Sequence, residues 1–594
     1  MSDTSLTLVH ALHAADVLSP LDHELARMCA RLDPVYAPWV ALAAALASCA
    51  LSDGHTCLDL DGPLLPQDAD PALLPAQDVD AWVAALQASP LVSDGSVDTP
   101  LVLRDRRVWL ARYDHHERRL AEALVRVASS SVRPVDHGVL DASVERLFAG
   151  GWANQLQEAA VRSASARALT VLAGGPGTGK TTTVVRLLAV LAEQAVAAGG
   201  DPPRVLLLAP TGKAAARLAD AMRKQVSSVA LAPTREADVR ASLPTVASTV
   251  HRALGRSGRW LTRPQHDAER PWAADVVVLD EVSMVDLPLM ARVLDAVKPG
   301  ARLILLGDPD QLAAVGAGAV LSDLTSSDLP GAILDGVVHL VGSRRYGEDS
   351  AVGRLAKAVH AGDVGALWLG ADPDAAWIAA PARPDRDAAV LARAVEGYTA
   401  YLSESDVAAR LDAFDRYRVL CALRAGPGGV VAMNSAIEHA LERAGQLRLD
   451  DVFYVGRPIL VTENDYGARL FNGDVGIVGL DEDGARRVFF PEAGKDGGPS
   501  GVRMLAPARL PAHETAWATT VHKSQGSEFD RVLIVLPDAG HPLVTRELLY
   551  TAITRARKGV RIVAPPGAVE ASLPRRAVRR SGLLAALRRV VSAA

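Results

Sequence analysis

The most informative segment of the chain is Val171-Leu172-Ala173-Gly174-Gly175-Pro176-Gly177-Thr178-Gly179-Lys180-Thr181-Thr182-Thr183. An apolar, β-prone run leads into a glycine-rich turn, and helix-forming residues follow from Val184 to Gln194. A strand, a glycine loop and a helix in this order form the context that a phosphate-binding loop requires. The pattern therefore predicts a nucleoside triphosphate site, and it disfavours the alternative of a glycine-rich turn with an accidental lysine.

The residues of this loop have distinct predicted roles. Glycines let backbone N–H groups surround the β-phosphate, and the start of the helix adds the positive end of its dipole. The Lys180 ammonium is expected to reach the β- and γ-phosphates, and the Thr181 hydroxyl is expected to bind Mg²⁺. The predicted nucleotide-binding residues here are Gly174, Gly175, Pro176, Gly177, Thr178, Gly179, Lys180, Thr181 and Thr182.

Length and composition limit the class of protein. At 594 residues the chain is too long for a single core, and we expect roughly three or four domains. No apolar run approaches the roughly twenty residues that span a bilayer, so we expect a cytoplasmic protein with no membrane partner. The four cysteines form no Cys-x-x-Cys pair, which is typical of a reducing compartment. A net charge of -6 neither indicates nor excludes nucleic-acid binding.

The order of helical and β-rich segments predicts an α/β fold in three parts. Residues 1–145 are mainly helical and carry no recognisable chemistry. Residues 146–345 alternate helices with short apolar strands, which indicates a parallel sheet covered by helices. Residues 346–594 repeat that pattern, and short strands with Asn-Gly and Asp-Gly turns between about 454 and 510 predict a small inserted β-barrel.

Acidic residues follow a second predicted strand, residues 276–279. Asp280 and Glu281 stand at its carboxyl end, where two carboxylates are costly unless a cation lies nearby. A magnesium nucleotide is the natural partner, with Asp280 holding the metal and Glu281 orienting and deprotonating the attacking water. Gln311 follows the next strand and is expected to sense the γ-phosphate, although by itself it would be an ordinary turn residue.

A third strand, residues 205–209, leads into a turn and a helix without an acid. Pro210, Thr211 and Lys213 lie at this turn, where small residues and a helix N-terminus suit contact with a backbone phosphate of a nucleic-acid strand. Arginines in the segments 343–346 and 549–557 could reach a γ-phosphate across a cleft between domains. As isolated residues, they would be solvated surface charges.

The ordered set of motifs resembles the superfamily 1 helicases and, within them, the RecD family of α subunits of the RecBCD exodeoxyribonuclease V. The resemblance covers residues 157–558. Its motifs are the phosphate loop, Asp280-Glu281-Val282-Ser283-Met284, Gly307-Asp308-Pro309-Asp310-Gln311-Leu312, Val521-His522-Lys523-Ser524-Gln525-Gly526 and Thr551-Ala552-Ile553-Thr554-Arg555-Ala556-Arg557.

This resemblance implies two RecA-like P-loop domains and a role for each matching residue. It assigns Gln157 to adenine and Glu528 to the nucleotide ribose. It assigns Arg345 and Arg555 to catalysis at the γ-phosphate. The residues implied in DNA binding or in its coupling to the nucleotide are Lys213, Thr249, His251, His522, Lys523 and Gln525. The family also implies ATP and Mg²⁺ as cofactors. It further implies that the protein moves along single-stranded DNA in the 5′-to-3′ direction.

Three functions stay open at this point. The chain could be the motor subunit of a heterotrimer with RecB-like and RecC-like subunits that processes duplex DNA ends for recombinational repair. It could also be a free-standing RecD-like helicase, or a nucleotide-gated scaffold for a nuclease partner. Chain length favours the first, and the intact motif set argues against the third. No Asp...Glu-x-Lys nuclease pattern is evident, so nuclease activity is expected only from a partner.

The two ends of the chain lie outside the motifs. We expect residues 1–145 to dock partner subunits, with the apolar tract 39–51 either covering a partner or buried internally. Residues 575–589 carry six arginines and no acid. Apolar residues at helical spacing beside them predict an accessory amphipathic helix on the last lobe, with a DNA or partner contact as the alternative. Its removal should then spare ATP hydrolysis.

Overall fold

A computed structural model describes residues 4–66, 69–149, 155–255, 264–342, 350–367, 374–379, 383–465, 467–492, 501–538 and 540–593. These residues form an N-terminal unit, two α/β lobes and a sheet inserted in the second lobe. None of the helices in these ranges combines the length and the apolar character needed to span a bilayer.

The N-terminal unit consists of helices around a small sheet of strand order β1-β4-β3-β2. It is mainly helical, as the sequence predicts. Its elements are α1 (Thr4–Ala14), α2 (Pro20–Leu32), α3 (Ala37–Ser52), β1 (Leu58–Asp59), α4 (Val79–Ala88), β2 (Val92–Ser93), β3 (Leu101–Arg104), β4 (Arg107–Leu110) and α5 (Ala111–Ala128). The next helix, α6 (His137–Phe148), packs in the core of the first lobe.

Helix α3 forms the centre of this unit. Its residues from Val40 to Ala50 are all buried, and they pack with α1, α2, α4 and the sheet. A helix that is apolar on every side is stable only when it is surrounded on every side. The apolar tract 39–51 is therefore buried internally, and the alternative that it covers a partner is wrong.

The first lobe is a six-stranded parallel sheet of order β10-β5-β9-β8-β6-β7. Helices cover both faces, because the inner strands β5, β6, β8 and β9 are almost entirely apolar and are buried on both sides. Its elements are α7 (Gln155–Ser165), β5 (Leu169–Ala173), α8 (Lys180–Ala197), β6 (Val205–Ala209), α9 (Gly212–Ser228), α10 (Glu236–Ser242), β7 (Ser248–Thr249), α11 (Val250–Ala253), β8 (Val276–Leu279), α12 (Leu287–Ala296), β9 (Arg302–Gly307), α13 (Val320–Asp323), α14 (Gly331–Leu334) and β10 (Val337–His339).

The second lobe is a five-stranded parallel sheet of order β11-β20-β19-β12-β18. Together the two lobes confirm the predicted α/β architecture. Elements of this part of the chain are α15 (Ala351–Ala361), α16 (Val364–Leu367), β11 (Ala375–Ala379), α17 (Arg383–Ser403), α18 (Val407–Phe414), β12 (Tyr417–Cys421), α19 (Val430–Arg443), β13 (Pro458–Val461), β14 (Val475–Leu480), β15 (Arg486–Glu492), β16 (Gly501–Leu505), β17 (His513–Thr515), β18 (Ala518–Thr520), β19 (Phe529–Val535), α20 (Arg546–Ile553), β20 (Ala556–Ala564), α21 (Ala568–Ser572) and α22 (Leu583–Ala593).

The inserted unit lies between α19 and β18, close to the predicted position. Its strands form an antiparallel sheet of order β16-β15-β14-β13-β17 around a separate small core. Within the described ranges, the pairing runs from β16 to β17 without joining these two edges. The insertion is therefore an antiparallel sheet, and its closure into a barrel stays a prediction.

The C-terminal segment leaves the second lobe and returns to the front of the chain. Buried residues of α22 pack against α5 and the first lobe, so its predicted position on the last lobe is wrong. Its approach is fixed by Glu117, a buried carboxylate on α5 that accepts hydrogen bonds from the Gly582 backbone (2.9 Å), the Trp109 indole (3.0 Å) and the Thr56 hydroxyl. Helical spacing predicted an apolar face but carried no information about which surface would receive it.

This packing changes what truncation after Pro574 is expected to do. Leu583 and Leu587 are fully buried, so removing α22 exposes a large apolar face on α5 and the first lobe. Leu587→Ala alone should lower the free energy of unfolding by about 2–5 kcal/mol, and truncation should cost more. Thermal and denaturant unfolding would measure both. Arg588→Ala, an exposed change on the same helix, is the control, and equal small effects at positions 587 and 588 would contradict the assigned packing.

Candidate nucleotide and DNA site

The phosphate loop joins β5, which lies between β10 and β9 in the first sheet, to α8. Gly177 and Gly179 have φ values of +81° and +88°, a backbone region that favours glycine. A Cβ atom at Gly174 would lie 2.5 Å from the Leu340 carbonyl oxygen, so this position also requires glycine. Pro176 is buried in the turn, while Thr181 and Thr182 lie in the first turn of α8. The loop thus presents its backbone at the N-terminus of a long helix, which is the arrangement expected for a phosphate site.

Two side chains stabilise this loop from within. The Lys180 ammonium donates to the Gly174 and Gly175 carbonyl oxygens, the latter at 3.0 Å. The Thr178 hydroxyl donates to the Gly175 carbonyl at 2.9 Å. Lys180 is therefore held at the mouth of the loop, where a phosphate would bind.

Gln157 on α7 lies directly against the loop. Its side-chain amide is buried and donates to the Thr178 carbonyl oxygen at 3.0 Å. The Arg186 guanidinium donates to the Gln157 carbonyl oxygen at 3.2 Å and fixes the orientation of the amide. This position flanks the nucleotide site, as the sequence predicts, while contact with adenine stays a prediction.

The predicted acidic pair follows β8, which is separated from β5 only by β9. The Glu281 backbone N–H donates to an Asp280 carboxylate oxygen at 2.8 Å, and Glu281 itself has a φ of +52°. Burial raises the pKa of Asp280, the Glu281 charge raises it further, and the charges of Lys180 and Arg217 oppose the shift. Asp280 thus lies within electrostatic reach of the phosphate-loop lysine.

The donors at this point fit a nucleotide-borne Mg²⁺. Asp280 and Thr181 supply oxygen atoms, and Mg²⁺ commonly binds through one or two carboxylates together with substrate phosphates and water. Among the residues that the structure describes, no group of three or more His, Cys, Asp or Glu side chains is arranged to hold a metal.

A chain of hydrogen bonds links the first lobe to the second. Gln311 donates to a carboxylate oxygen of Asp308 at 2.9 Å and accepts from the Arg555 guanidinium at 3.0 Å. All three side chains are buried, and burial raises the pKa of Asp308. Gln525 donates to the Leu312 carbonyl at 2.9 Å beside this chain. The structure thus brings together Gln311, Gln525 and Arg555, which are far apart in sequence.

Three residues at this junction were not predicted as site residues. Asp308 follows β9 as Asp280 follows β8, a parallel that the sequence contained. The Tyr550 hydroxyl lies 2.7 Å from where a Cβ of Gly175 would stand, so the second lobe reaches the phosphate loop. Arg217 contacts Glu528, and nothing in the sequence indicated this pair.

Glu528 lies beside arginines of both lobes. Expected near the ribose, it forms ion pairs with Arg217 of the first lobe and with Arg557 of the second, the latter at 3.1 Å. Arg345, the other predicted γ-phosphate arginine, lies outside the described residues, and its assignment stays a prediction.

The predicted DNA-binding residues lie at the carboxyl ends of the strands β6, β7 and β18. Thr211 accepts from the Ala214 N–H at 3.2 Å and caps α9, and Thr249 caps α11 in the same way at 3.3 Å. Pro210 precedes the first cap, and His251 is exposed on α11. The nucleotide residues of the first lobe follow β5, β9 and β8, whereas these residues follow β6, β7 and β18 towards one edge of each sheet. The two predicted sites therefore lie side by side.

Two predicted DNA-binding cations are less accessible than the sequence suggested. The Lys213 ammonium lies 6.0 Å from the centroid of the Phe529 ring, and burial lowers its pKa. The Lys523 ammonium forms an ion pair with Glu514. Burial also lowers the pKa of His522, and the nearby Arg579 charge lowers it further. A DNA phosphate would have to compete for these groups with partners inside the protein.

Three family models match separate segments of the chain. Family models match an AAA domain at residues 157–317, the N-terminal domain of the RecBCD enzyme subunit RecD at residues 14–109 and a UvrD-like helicase C-terminal domain at residues 515–563. Among solved structures, the Pif1 helicase from Candida albicans is 16% identical over 74% of this chain and 98% of that chain, with a TM-score of 0.39.

Curated relatives align over nearly the whole chain. The RecBCD enzyme subunit RecD of Mycolicibacterium smegmatis is 41% identical over 97% of this chain and 98% of its own length. The same subunit of Mycobacterium tuberculosis H37Rv is 42% identical over 97% of this chain and 96% of its own length. The ATP-dependent RecD2 DNA helicase of Deinococcus radiodurans is 32% identical over 76% of this chain and 54% of its own length.

The chain has two parallel-sheet lobes, with a phosphate loop in the first and a match to a helicase C-terminal domain in the second. These features define the class of protein as an ATP-dependent superfamily 1 DNA helicase. The N-terminal match and the near full-length relatives narrow this class. The chain belongs to the family of RecD subunits of RecBCD enzymes.

Proposed function

We propose that this chain is the motor subunit of a RecBCD-type helicase-nuclease and moves 5′-to-3′ along single-stranded DNA at duplex ends by hydrolysing ATP with Mg²⁺. The observation that carries the proposal is the buried chain Asp308–Gln311–Arg555. It links the end of a nucleotide-site strand to an arginine of the other lobe, so a change at the γ-phosphate has a direct route to the lobe interface. A nucleotide-gated scaffold could use the same route, but it would not need Lys180 and Glu281, the residues proposed to hydrolyse the nucleotide.

The catalytic roles follow from position. Lys180 stabilises negative charge on the transferred phosphoryl group, and Glu281 orients the attacking water and accepts its proton. Mg²⁺ supplies neutralisation of phosphate charge when it is bound, with Asp280 and Thr181 as its protein ligands. Closing of the lobes would complete the site, because it brings Arg555, together with its partner Gln311, towards the γ-phosphate.

Movement along DNA follows from alternating grip. Each lobe contributes predicted DNA contacts at the side of its sheet, Thr211 and Thr249 in the first and His522 in the second. These contacts suit backbone phosphates, so the motor would move without reading sequence. Separating one base-pair step costs roughly 1.4 kcal/mol, which a single hydrolysis event easily supplies.

Strand displacement on duplexes with a 5′ or a 3′ tail tests this function. The purified chain and the complex with its partner subunits would be compared at equal ATP and salt. We expect unwinding only from the 5′ tail, and stronger unwinding in the complex. Full activity of the chain alone would favour the free-standing helicase, a form named among its relatives. Absence of DNA-stimulated hydrolysis in both preparations would contradict the motor assignment.

We further propose that the N-terminal unit docks the RecB-like and RecC-like partners through one face of α2. Its apolar side chains Leu21, Met28 and Leu32 are exposed by 73%, 39% and 58%. The spacing of seven and four residues puts them on one side of the helix. Such a stripe in a subunit of a larger enzyme suits a partner surface.

Leu21→Glu combined with Leu32→Glu should therefore prevent co-purification with the partner subunits while DNA-stimulated ATP hydrolysis continues. Charged side chains cannot be buried in an apolar interface without a large cost. Pull-down from co-expressing cells would measure assembly. Val431→Glu, at an exposed apolar residue of α19 in the second lobe, is the control. Normal assembly of the double variant would move the docking role elsewhere, with the inserted sheet as the next candidate.

A further inference from the structure

Arg217 occupies an unusual position on the first lobe. It lies in α9, one helical turn after Lys213, and its guanidinium reaches into the second lobe. There it donates to the Gly526 carbonyl oxygen at 2.8 Å and forms an ion pair with the Glu528 carboxylate. The other oxygen of that carboxylate accepts from Arg557 at 3.1 Å.

A second arginine on the same helix behaves differently. Arg223 pairs with Asp220 within α9 and donates to the Thr245 carbonyl oxygen at 3.3 Å, and both of these partners belong to the first lobe. Arg223 thus provides a matched comparison for a cation on α9 whose ion pair does not reach the second lobe.

The burial of Glu528 makes its ion pair with Arg217 important for keeping its carboxylate charged inside the protein. Only 6% of the Glu528 side chain is exposed, whereas the side chains of Arg217 and Arg557 are exposed by 32% and 50%. A carboxylate this buried is costly unless charged donors surround it. Without Arg217, Glu528 would keep the ion pair with Arg557, whose side chain is half in solvent.

Arg217 connects the two predicted ligand sites. Its own helix α9 carries Lys213 one turn earlier, and its partner Glu528 is the residue expected at the ribose. Burial lowers the pKa of Lys213, and the Arg217 charge lowers it further. The lobes are closely packed at this point, since a Cβ at Gly526 would stand 3.5 Å from the Ala214 Cβ. A displacement of α9 therefore moves the turn that carries Glu528.

We propose that Arg217 is a positioning residue that holds the Gly526–Glu528 turn of the second lobe against the DNA-side helix α9 and thereby couples DNA binding to nucleotide binding. This inference rests on the proposed function, because it takes Glu528 as the carboxylate at the ribose and Lys213 as a DNA contact. It assigns Arg217 no contact with ATP or DNA. Arg217 acts through Glu528.

A double-mutant cycle tests this role. Arg217→Ala should raise the KM for ATP and the single-stranded DNA concentration for half-maximal ATPase activity by about tenfold each, the size expected for one lost charge-assisted hydrogen bond. The kcat at saturating ATP and DNA should stay within about twofold. In a Glu528→Gln background, Arg217→Ala should have little further effect, because residues that act through one contact are not additive.

Two further variants separate positioning from folding. Arg217→Lys keeps the charge but loses the planar fork, so it should give intermediate KM values. Arg223→Ala should leave both constants unchanged. Thermal unfolding of each variant checks the fold, and Arg217→Lys carries the test if Arg217→Ala does not fold.

The outcomes are distinguishable. Wild-type constants in Arg217→Ala, or effects of Arg217→Ala and Glu528→Gln that multiply, would overturn the inference and leave the motor assignment intact. Absence of DNA-stimulated hydrolysis in the unmodified chain and in its complex would instead overturn the proposed function.

Discussion

Lys180→Gln should lower ATP turnover by at least about a hundredfold to a thousandfold while single-stranded DNA binding stays close to that of the unmodified chain. The reason is that the ammonium stabilises charge on the transferred phosphoryl group, and loss of one such donor has effects of this size. In the structure, the contacts of the Lys180 ammonium are carbonyl oxygens of the phosphate loop. The predicted DNA residues at β6, β7 and β18 are separate from that loop.

Phosphate release at saturating single-stranded DNA would measure turnover, and fluorescence anisotropy of a labelled oligonucleotide would measure binding. Lys224→Gln is the matched control, because Lys224 is an exposed lysine of the same lobe on α9. It should change neither quantity. Turnover of the unmodified level in Lys180→Gln would refute the phosphate-loop assignment.

The backbone geometry of the phosphate loop was predictable because it depends on short-range patterns. A phosphate loop needs glycines at fixed positions between one strand and one helix, and Gly177 and Gly179 have the positive φ values that such a loop needs. Asp280 and Gln311 each follow a buried strand. Parallel strands place their carboxyl ends at one edge of a sheet, so these residues approach the loop without any further information.

Contacts between distant segments were not predictable in the same way. Gln311 and Arg555 are 244 residues apart, and the sequence indicated only that an arginine could reach a phosphate. The pair Arg217–Glu528 was missed because Glu528 was assigned to the ribose and Arg217 by itself looks like a solvated surface charge. The position of helix α22 was unpredictable for the same reason. The spacing of its apolar residues predicts one apolar face, but it does not identify α5 as the surface against which that face packs.

The burial of two charged side chains was also underestimated. Lys213 and Arg555 would usually be assigned to the surface. The structure buries Arg555 to 2% exposure by satisfying its donors with the Thr551 carbonyl, the Ser527 carbonyl and Gln311. This hydrogen bonding depends on contact between the two lobes, which local sequence does not encode.

Arg555→Ala is expected to lower kcat for ATP about a thousandfold with little change in nucleotide affinity. An arginine supplied from across a cleft stabilises charge that develops only in the transition state, so its loss appears in turnover and not in binding. The observed contact with Gln311 places Arg555 one side chain away from the end of β9. A short movement of the second lobe would bring it to the γ-phosphate.

Arg557→Ala is the control two residues away. Arg557 is half exposed and pairs with Glu528 at the edge of the interface, so its loss should reduce kcat far less. Single-turnover hydrolysis and binding of a fluorescent ATP analogue would separate the two quantities. Because Arg555 also bonds Gln311, thermal unfolding must show that the variant remains folded. Equal small effects at positions 555 and 557 would mean that neither arginine stabilises the transferred γ-phosphate. Arg345 would then be the remaining candidate for this role.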